Sequence, residues 1–163
     1  MKKIKMSLVA VAFATLSFNN LQADTLSNTL KSKNMSVGIQ TSLPSIGLSV
    51  RSDISDKINL QGVLGFFGNV NTYLIRGNYK LTQDEIYHTY GFASVGMWTY
   101  DYSIDTETAL GFGLGGGVEF DMQSIDENLP PVTGNIEIAF SQTGIEHYNI
   151  SALTLGFGVH YKF

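Results

Sequence analysis

The chain has no cysteine among its 163 residues, which excludes a disulfide framework and a cysteine-borne lipid anchor behind an export signal. No stretch beyond the N-terminus runs apolar for 18 residues, so no helix is expected to cross a membrane. Basic residues are scarce. Of ten Lys and Arg, three stand in the first five residues, and the remainder faces 14 acids, a balance that argues against a nucleic-acid partner. Three scattered His and acids placed in turns make no metal-spaced cluster, and nothing implies a cofactor. A Gly-x-Ser-x-Gly elbow is also missing, so no catalytic residue is assigned and the chain is not expected to be an enzyme.

What is present begins with an export pattern. Lys2, Lys3 and Lys5 form a basic start, Met6 to Phe18 an apolar stretch of about 13 residues, and Leu21-Gln22-Ala23 a small-residue cleavage site. The run is too short for a membrane helix and carries no polar stripe, so residues 1–23 read as a signal peptide. Residues 24–34 are polar without alternation and read as a short lead-in; 35–163 is long enough for one domain.

That domain alternates. In the last segment Leu153, Leu155, Phe157, Val159, Tyr161 and Phe163 are apolar, while Thr154, Gly156, Gly158, His160 and Lys162 between them are small or polar. A two-residue period is a β-strand with one oily face. Eight such segments can be counted, near 35–43, 46–54, 58–67, 71–81, 86–100, 108–122, 132–142 and 149–163. Most reach the ~9–11 residues that a tilted transmembrane strand needs, and an even number fits a barrel with both ends on one side.

One face collects Val37, Ile39, Leu48, Val50, Leu60, Leu64, Ile75, Leu114, Ile136 and Ile138; the other collects Gln40, Ser49, Arg51, Gln61, Arg76, Asn78, Glu119, Asn135, Glu137 and His160. A soluble barrel of the lipocalin kind would turn the oily face inward. It would then expose Gly111, Gly113, Gly115, Gly117, Gly156 and Gly158 on its outer wall, where glycine is a poor strand residue. The fold class is therefore all-β: an eight-stranded antiparallel up-and-down transmembrane β-barrel with the glycines in a crowded lumen. The run Gly113-Leu114-Gly115-Gly116-Gly117 lacks the Lys-Ser/Thr ending of a phosphate loop and belongs to that strip.

In such a cylinder, strand n faces strand n+4, which sets Arg51 across from Glu119; Arg76 and Glu137 can join them, with Gln40 and Gln61 as neighbours. An eight-stranded barrel is only wide enough for side chains to fill. The reading is a polar plug, and the alternative is a narrow gated conduit with the same ion pairs as its gate. Trp98, Tyr100, Tyr79 and Tyr161 are expected to form the aromatic girdle at the two lipid–water boundaries. For the fifth strand, pairing Leu81 with Ile86 across the turn between them favours Tyr90, Phe92, Trp98 and Tyr100 outward; the reverse facing would send these aromatics inward, into space beside the sixth strand's glycines. A weaker enzyme alternative, a lipid-modifying hydrolase or acyltransferase, would draw on Ser141, Glu146 and His147.

With Ala23 cleavage, eight dyad-repeat strands and the ending Gly156-Phe157-Gly158-Val159-His160-Tyr161-Lys162-Phe163, the chain resembles the small eight-stranded bacterial outer-membrane barrels, the OmpA transmembrane domain and OmpX type. The resemblance implies an outer-membrane location, lipid and the outer-membrane assembly machinery as partners, a monomer, and Tyr161 and Phe163 as the C-terminal assembly signal. It also implies long outer loops. Here the outer connections near Pro44, Asn69, Ser103 and Gly144 are brief, and the longest connection, Gln123 to Pro131, falls on the other side.

Overall fold

The structure is a computed structural model that describes residues 34–42, 45–101, 105–144 and 151–163. The expected signal peptide, the lead-in as far as residue 33, and Glu146 and His147 lie outside the described residues. Eight strands follow in chain order: β1 Met35–Ser42, β2 Ser45–Asp53, β3 Ile58–Phe67, β4 Val70–Gln83, β5 Tyr87–Asp101, β6 Thr106–Asp121, β7 Val132–Thr143 and β8 Ser151–Lys162. One helical turn, α1 Met122–Ile125, interrupts the connection from β6 to β7.

Every strand pairs antiparallel with its sequence neighbours, and β1 pairs with β8, so the sheet closes as an up-and-down barrel without an exposed edge. The closure sets Val37 beside Tyr161 and Ile39 beside Val159, and the Phe163 amide donates to the Met35 carbonyl at 3.1 Å. Between β3 and β4 the chain reverses in two residues; Gly68, at φ +59°, supplies the left-handed backbone that such a hairpin demands.

Polarity is inverted relative to a soluble barrel. Leu155 is 61% exposed and Leu110 73%, whereas Arg76 is 2% exposed and Glu137 likewise buried. Exposed Ile39, Leu48, Leu60, Ile75, Phe112, Ile138 and Phe157 continue the apolar surface around the wall. From Leu110 to Phe120 the outward face of β6 covers about 25 Å along the barrel axis, at ~3.4 Å rise per residue and ~40° tilt.

The fifth strand departs from the sequence reading. Tyr90, Phe92 and Trp98 point into the lumen, with Ser94 and Gly96 on the same side, while Ala93 and Val95 are exposed on the outer wall. Trp98, 2% exposed, packs on Val70, and Tyr100 packs against that pair, so neither belongs to an outer girdle. Two causes act together. The β4–β5 register shifts between Lys80 and Thr82, so Leu81 is an extra residue with no partner; a parity carried across the turn from Leu81 is then wrong by one, and every side chain of β5 changes face. On β6, Gly111, Gly115 and Gly117 leave room for the rings: a Cβ built there would come within 2.8 Å of Trp98, Phe92 and Tyr90 respectively. Tyr79 and Tyr161 are exposed at the rim that holds the chain ends, hereafter the terminal rim.

Candidate functional site

The described interior is a layered side-chain network. Alternation sends Gln40 of β1, Ser49 and Arg51 of β2, Gln61 of β3, Arg76 and Asn78 of β4, Glu119 of β6, Asn135 and Glu137 of β7 and His160 of β8 inward, and all are buried. All six residues singled out from the sequence for the lumen meet there. Arg51 Nη1 donates to Glu119 Oε2, and Arg51 Nη2 donates to Gln40 Oε1 at 3.1 Å. Gln61 and Asn135 amides reach the same Gln40 oxygen at 3.4 Å.

Arg76 and Glu137 form a two-pronged pair, Nη1 to Oε1 at 3.1 Å and Nη2 to Oε2 at 2.8 Å. Planar forks of this kind fix orientation as well as charge. The pair is further held. Tyr90 donates its hydroxyl to Glu137 Oε2 at 3.0 Å and accepts from Asn135 Nδ2 at 2.6 Å, and the Phe92 ring lies 3.5 Å from the Arg76 guanidinium carbon. A buried carboxylate thus meets three donors, and a buried cation meets an acceptor fork and a ring face.

Sequence reasoning missed the tight role of Tyr90 and Phe92, because it turned their strand over. It also missed a Ser–His contact: His160 Nε2 and Ser49 Oγ are 2.9 Å apart, and Gln61 Nε2 donates to that hydroxyl at 2.7 Å. The Ser49 hydroxyl keeps a second lone pair after accepting from Gln61, so the contact accommodates either imidazole tautomer. Among the described residues no carboxylate pairs with His160 Nδ1, and neither His160 nor Ser49 is exposed, so the pair has neither the orienting acid nor the substrate access of a nucleophile–base dyad there. Ser141, from the weaker enzyme set, faces the lumen from β7.

At the terminal rim the lumen opens into a cavity of about 420 Å³, floored by Arg51, Glu119 and Asn78 and walled by Lys80, His88 and Lys162. His88 Nε2 stands 3.8 Å from Glu119 Oε1, Lys162 Nζ binds Asp121 Oδ2 at 2.7 Å, and Lys80 Nζ lies 4.0 Å from Asp53 Oδ1. The mouth is a ring of mixed sign rather than a single-sign funnel. Toward the opposite rim the lumen changes character: Val70 and Trp98 are buried against each other, with Leu74 and Ala109 packed on them. Among the described residues, no group of three His, Cys, Asp or Glu could hold a metal ion.

The same architecture occurs among solved structures. The N-terminal β-barrel domain of Pseudomonas aeruginosa OprF superposes with a TM-score of 0.53 over 80% of this chain and 96% of that domain, at 13% identity. The Yersinia pestis outer membrane protein Ail, determined in a phospholipid bilayer nanodisc, aligns over 80% of this chain and 98% of its own at 14% identity, with a TM-score of 0.45. No protein-family profile and no curated protein sequence matches the chain. At such identities the likeness is one of fold: the chain has a closed eight-stranded antiparallel barrel, as the OprF domain has.

Proposed function

From that fold as premise, we propose that the chain is a bacterial outer-membrane barrel, exported by its signal peptide, with a structural or surface-associated role and a lumen stopped by its own side chains. The observation that carries the reading is the inverted polarity. Leu155, Phe157 and Ile138 face outward, whereas Arg76 and Glu137 meet at the centre. Soluble monomers rarely expose a contiguous apolar patch beyond a few hundred Å², and here the apolar face runs round the wall at the height of a hydrocarbon core. Lipid is the environment in which that face has no cost.

The stopper follows from charge. Each luminal Arg is matched to a Glu on the facing wall, and the apolar packing of Val70 with Trp98 backs the ionic layer. Ions would have to break a buried pair and then pass a dry constriction. Membrane fractionation with gel mobility before and after boiling tests the location; a protein found in the soluble fraction, or one whose mobility ignores boiling, would remove the membrane reading. Planar-bilayer recording tests the stopper: silence is expected from the purified barrel. A steady open current would instead favour a gated conduit, the second reading, which has the cavity at the terminal rim in its support. The reading assigns no catalytic step, and a monomer suffices for it.

A further inference from the structure

The connection from β6 to β7, residues 122–131, carries apolar surface that the luminal network does not use. Its shape is fixed locally. Asp121 accepts from the Gln123 amide at 3.1 Å, the Asp126 amide returns to the Met122 carbonyl at 3.2 Å, and the Leu129 amide donates to the Asp126 carbonyl at 2.9 Å. Pro130 and Pro131 then restrict the backbone into β7. On this frame Ile125 is 55% exposed and Leu129 39%.

The direction of the connection is set by Met122. Its terminal methyl lies over Gly134, where an added Cβ would meet it at 3.4 Å. Gly134 faces outward, because its neighbours Thr133 and Asn135 are the buried, luminal ones. Met122 and Ile125 are three residues apart on α1 and share a side. The connection therefore leans on the outer wall, and only Ser124 of its residues reaches the cavity. Aromatic pairs flank it at the same rim: exposed Tyr87 with half-buried Phe120, centroids 6.3 Å apart, and exposed Tyr161 with Phe163 at 5.4 Å. Exposed Asp126 and Glu127 follow directly, with no Lys or Arg between residues 122 and 131. The backbone amide and side-chain amide of Asn128 hold the Asp126 carboxyl below its usual range, so it stays charged.

We propose that this connection is a membrane-interface anchor, in which Met122, Ile125 and Leu129 enter the headgroup layer at the terminal rim while Asp126 and Glu127 remain in water. The apolar surface is continuous with the outer wall, which is why lipid rather than a protein is its occupant. Its charge selects a zwitterionic headgroup layer over an anionic one. The inference rests on the membrane reading given above.

Because the chain has no native cysteine, single labels can be placed in the full folded protein. An environment-sensitive fluorophore on Ile125→Cys, Leu129→Cys, Glu127→Cys or Leu155→Cys would be read in phosphatidylcholine vesicles, with a nitroxide on the lipid or iodide in the water as quencher. The labels at 125 and 129 should shift to the blue, lose emission to the nitroxide and be shielded from iodide; the label at 127 should do the reverse. Anionic lipid in the vesicles should reduce the blue shift. If 125 and 129 follow 127 while 155 still reports lipid, the connection stands in water and the anchor is wrong. If 155 also meets iodide, the membrane reading falls and takes the anchor with it.

Discussion

Between the terminal rim and mid-barrel, the lumen is filled by Arg51, Arg76, Glu119 and Glu137 with an amide and hydroxyl lattice around them; beyond Phe92 it is filled by Leu74, Val70 and Trp98 over a floor of glycines. Both halves occupy the same cylinder and exclude the same solvent. The ionic half depends on matching partners, so that loss of one group strands another. The aromatic half depends on volume; buried polar atoms without a hydrogen-bond partner occur in both halves, Thr72 Oγ1 and Trp98 Nε1 here and Arg51 Nε, Arg76 Nε and Asn135 Oδ1 in the ionic half. Chemistry specifies one end and shape the other.

The strongest way to break this contrast is Glu137→Leu. It strands the Arg76 guanidinium and the Tyr90 hydroxyl proton at once and should cost about 3–5 kcal/mol in a urea unfolding titration of the barrel in vesicles. Arg76→Leu combined with Glu137→Leu should regain most of the loss, because no buried charge is left alone and only the Tyr90 hydroxyl lacks its acceptor. Trp98→Ala, in the other half, should cost about 3 kcal/mol through the cavity it leaves, with no second substitution that restores charge balance able to recover it.

Smaller changes sharpen the same point. Gly115→Ala places a methyl group 2.5 Å from both the Phe92 ring and the Ile138 carbonyl, and should lower the unfolding free energy by about 1–3 kcal/mol through overpacking. The least effect, and the one of opposite sign, belongs to Thr72→Val: removing a buried hydroxyl that has no partner should leave stability unchanged or raise it by up to about 1 kcal/mol in the same titration. A clear loss there would mean that the aromatic half also relies on polar contacts.

Much of this was legible before any coordinates. Charges that fall within strands share one parity, and that alone placed Arg51 opposite Glu119 and grouped Arg76 with Glu137, because strand alternation and barrel closure are geometric rules. The eight strand positions were readable for the same reason: turn residues separate segments of a fixed period. The fifth strand was not. Both of its faces are apolar, Tyr90, Phe92 and Trp98 against Ala93, Val95 and Met97, so periodicity there carries no sign. Its facing is decided by a bulge in β4 and by the bare backbone of β6, which are facts about neighbours. The Ser49–His160 contact joins residues 111 positions apart and rests on a register that neither segment encodes by itself.

The unpaired Leu81 has a consequence for how such a chain can change length. A wall whose inside and outside are told apart by odd and even positions keeps a running count, and the bulge advances that count by one without altering any rung above it. Removing Leu81 would seat the Lys80–Tyr90 and Thr82–Thr89 rungs side by side in one unbroken ladder, so that Tyr79, Lys80, Tyr90 and Phe92 all keep their sides. A one-residue change is therefore absorbed at this bulge, whereas the same step inside a regular stretch turns over every side chain between it and the next bulge or turn.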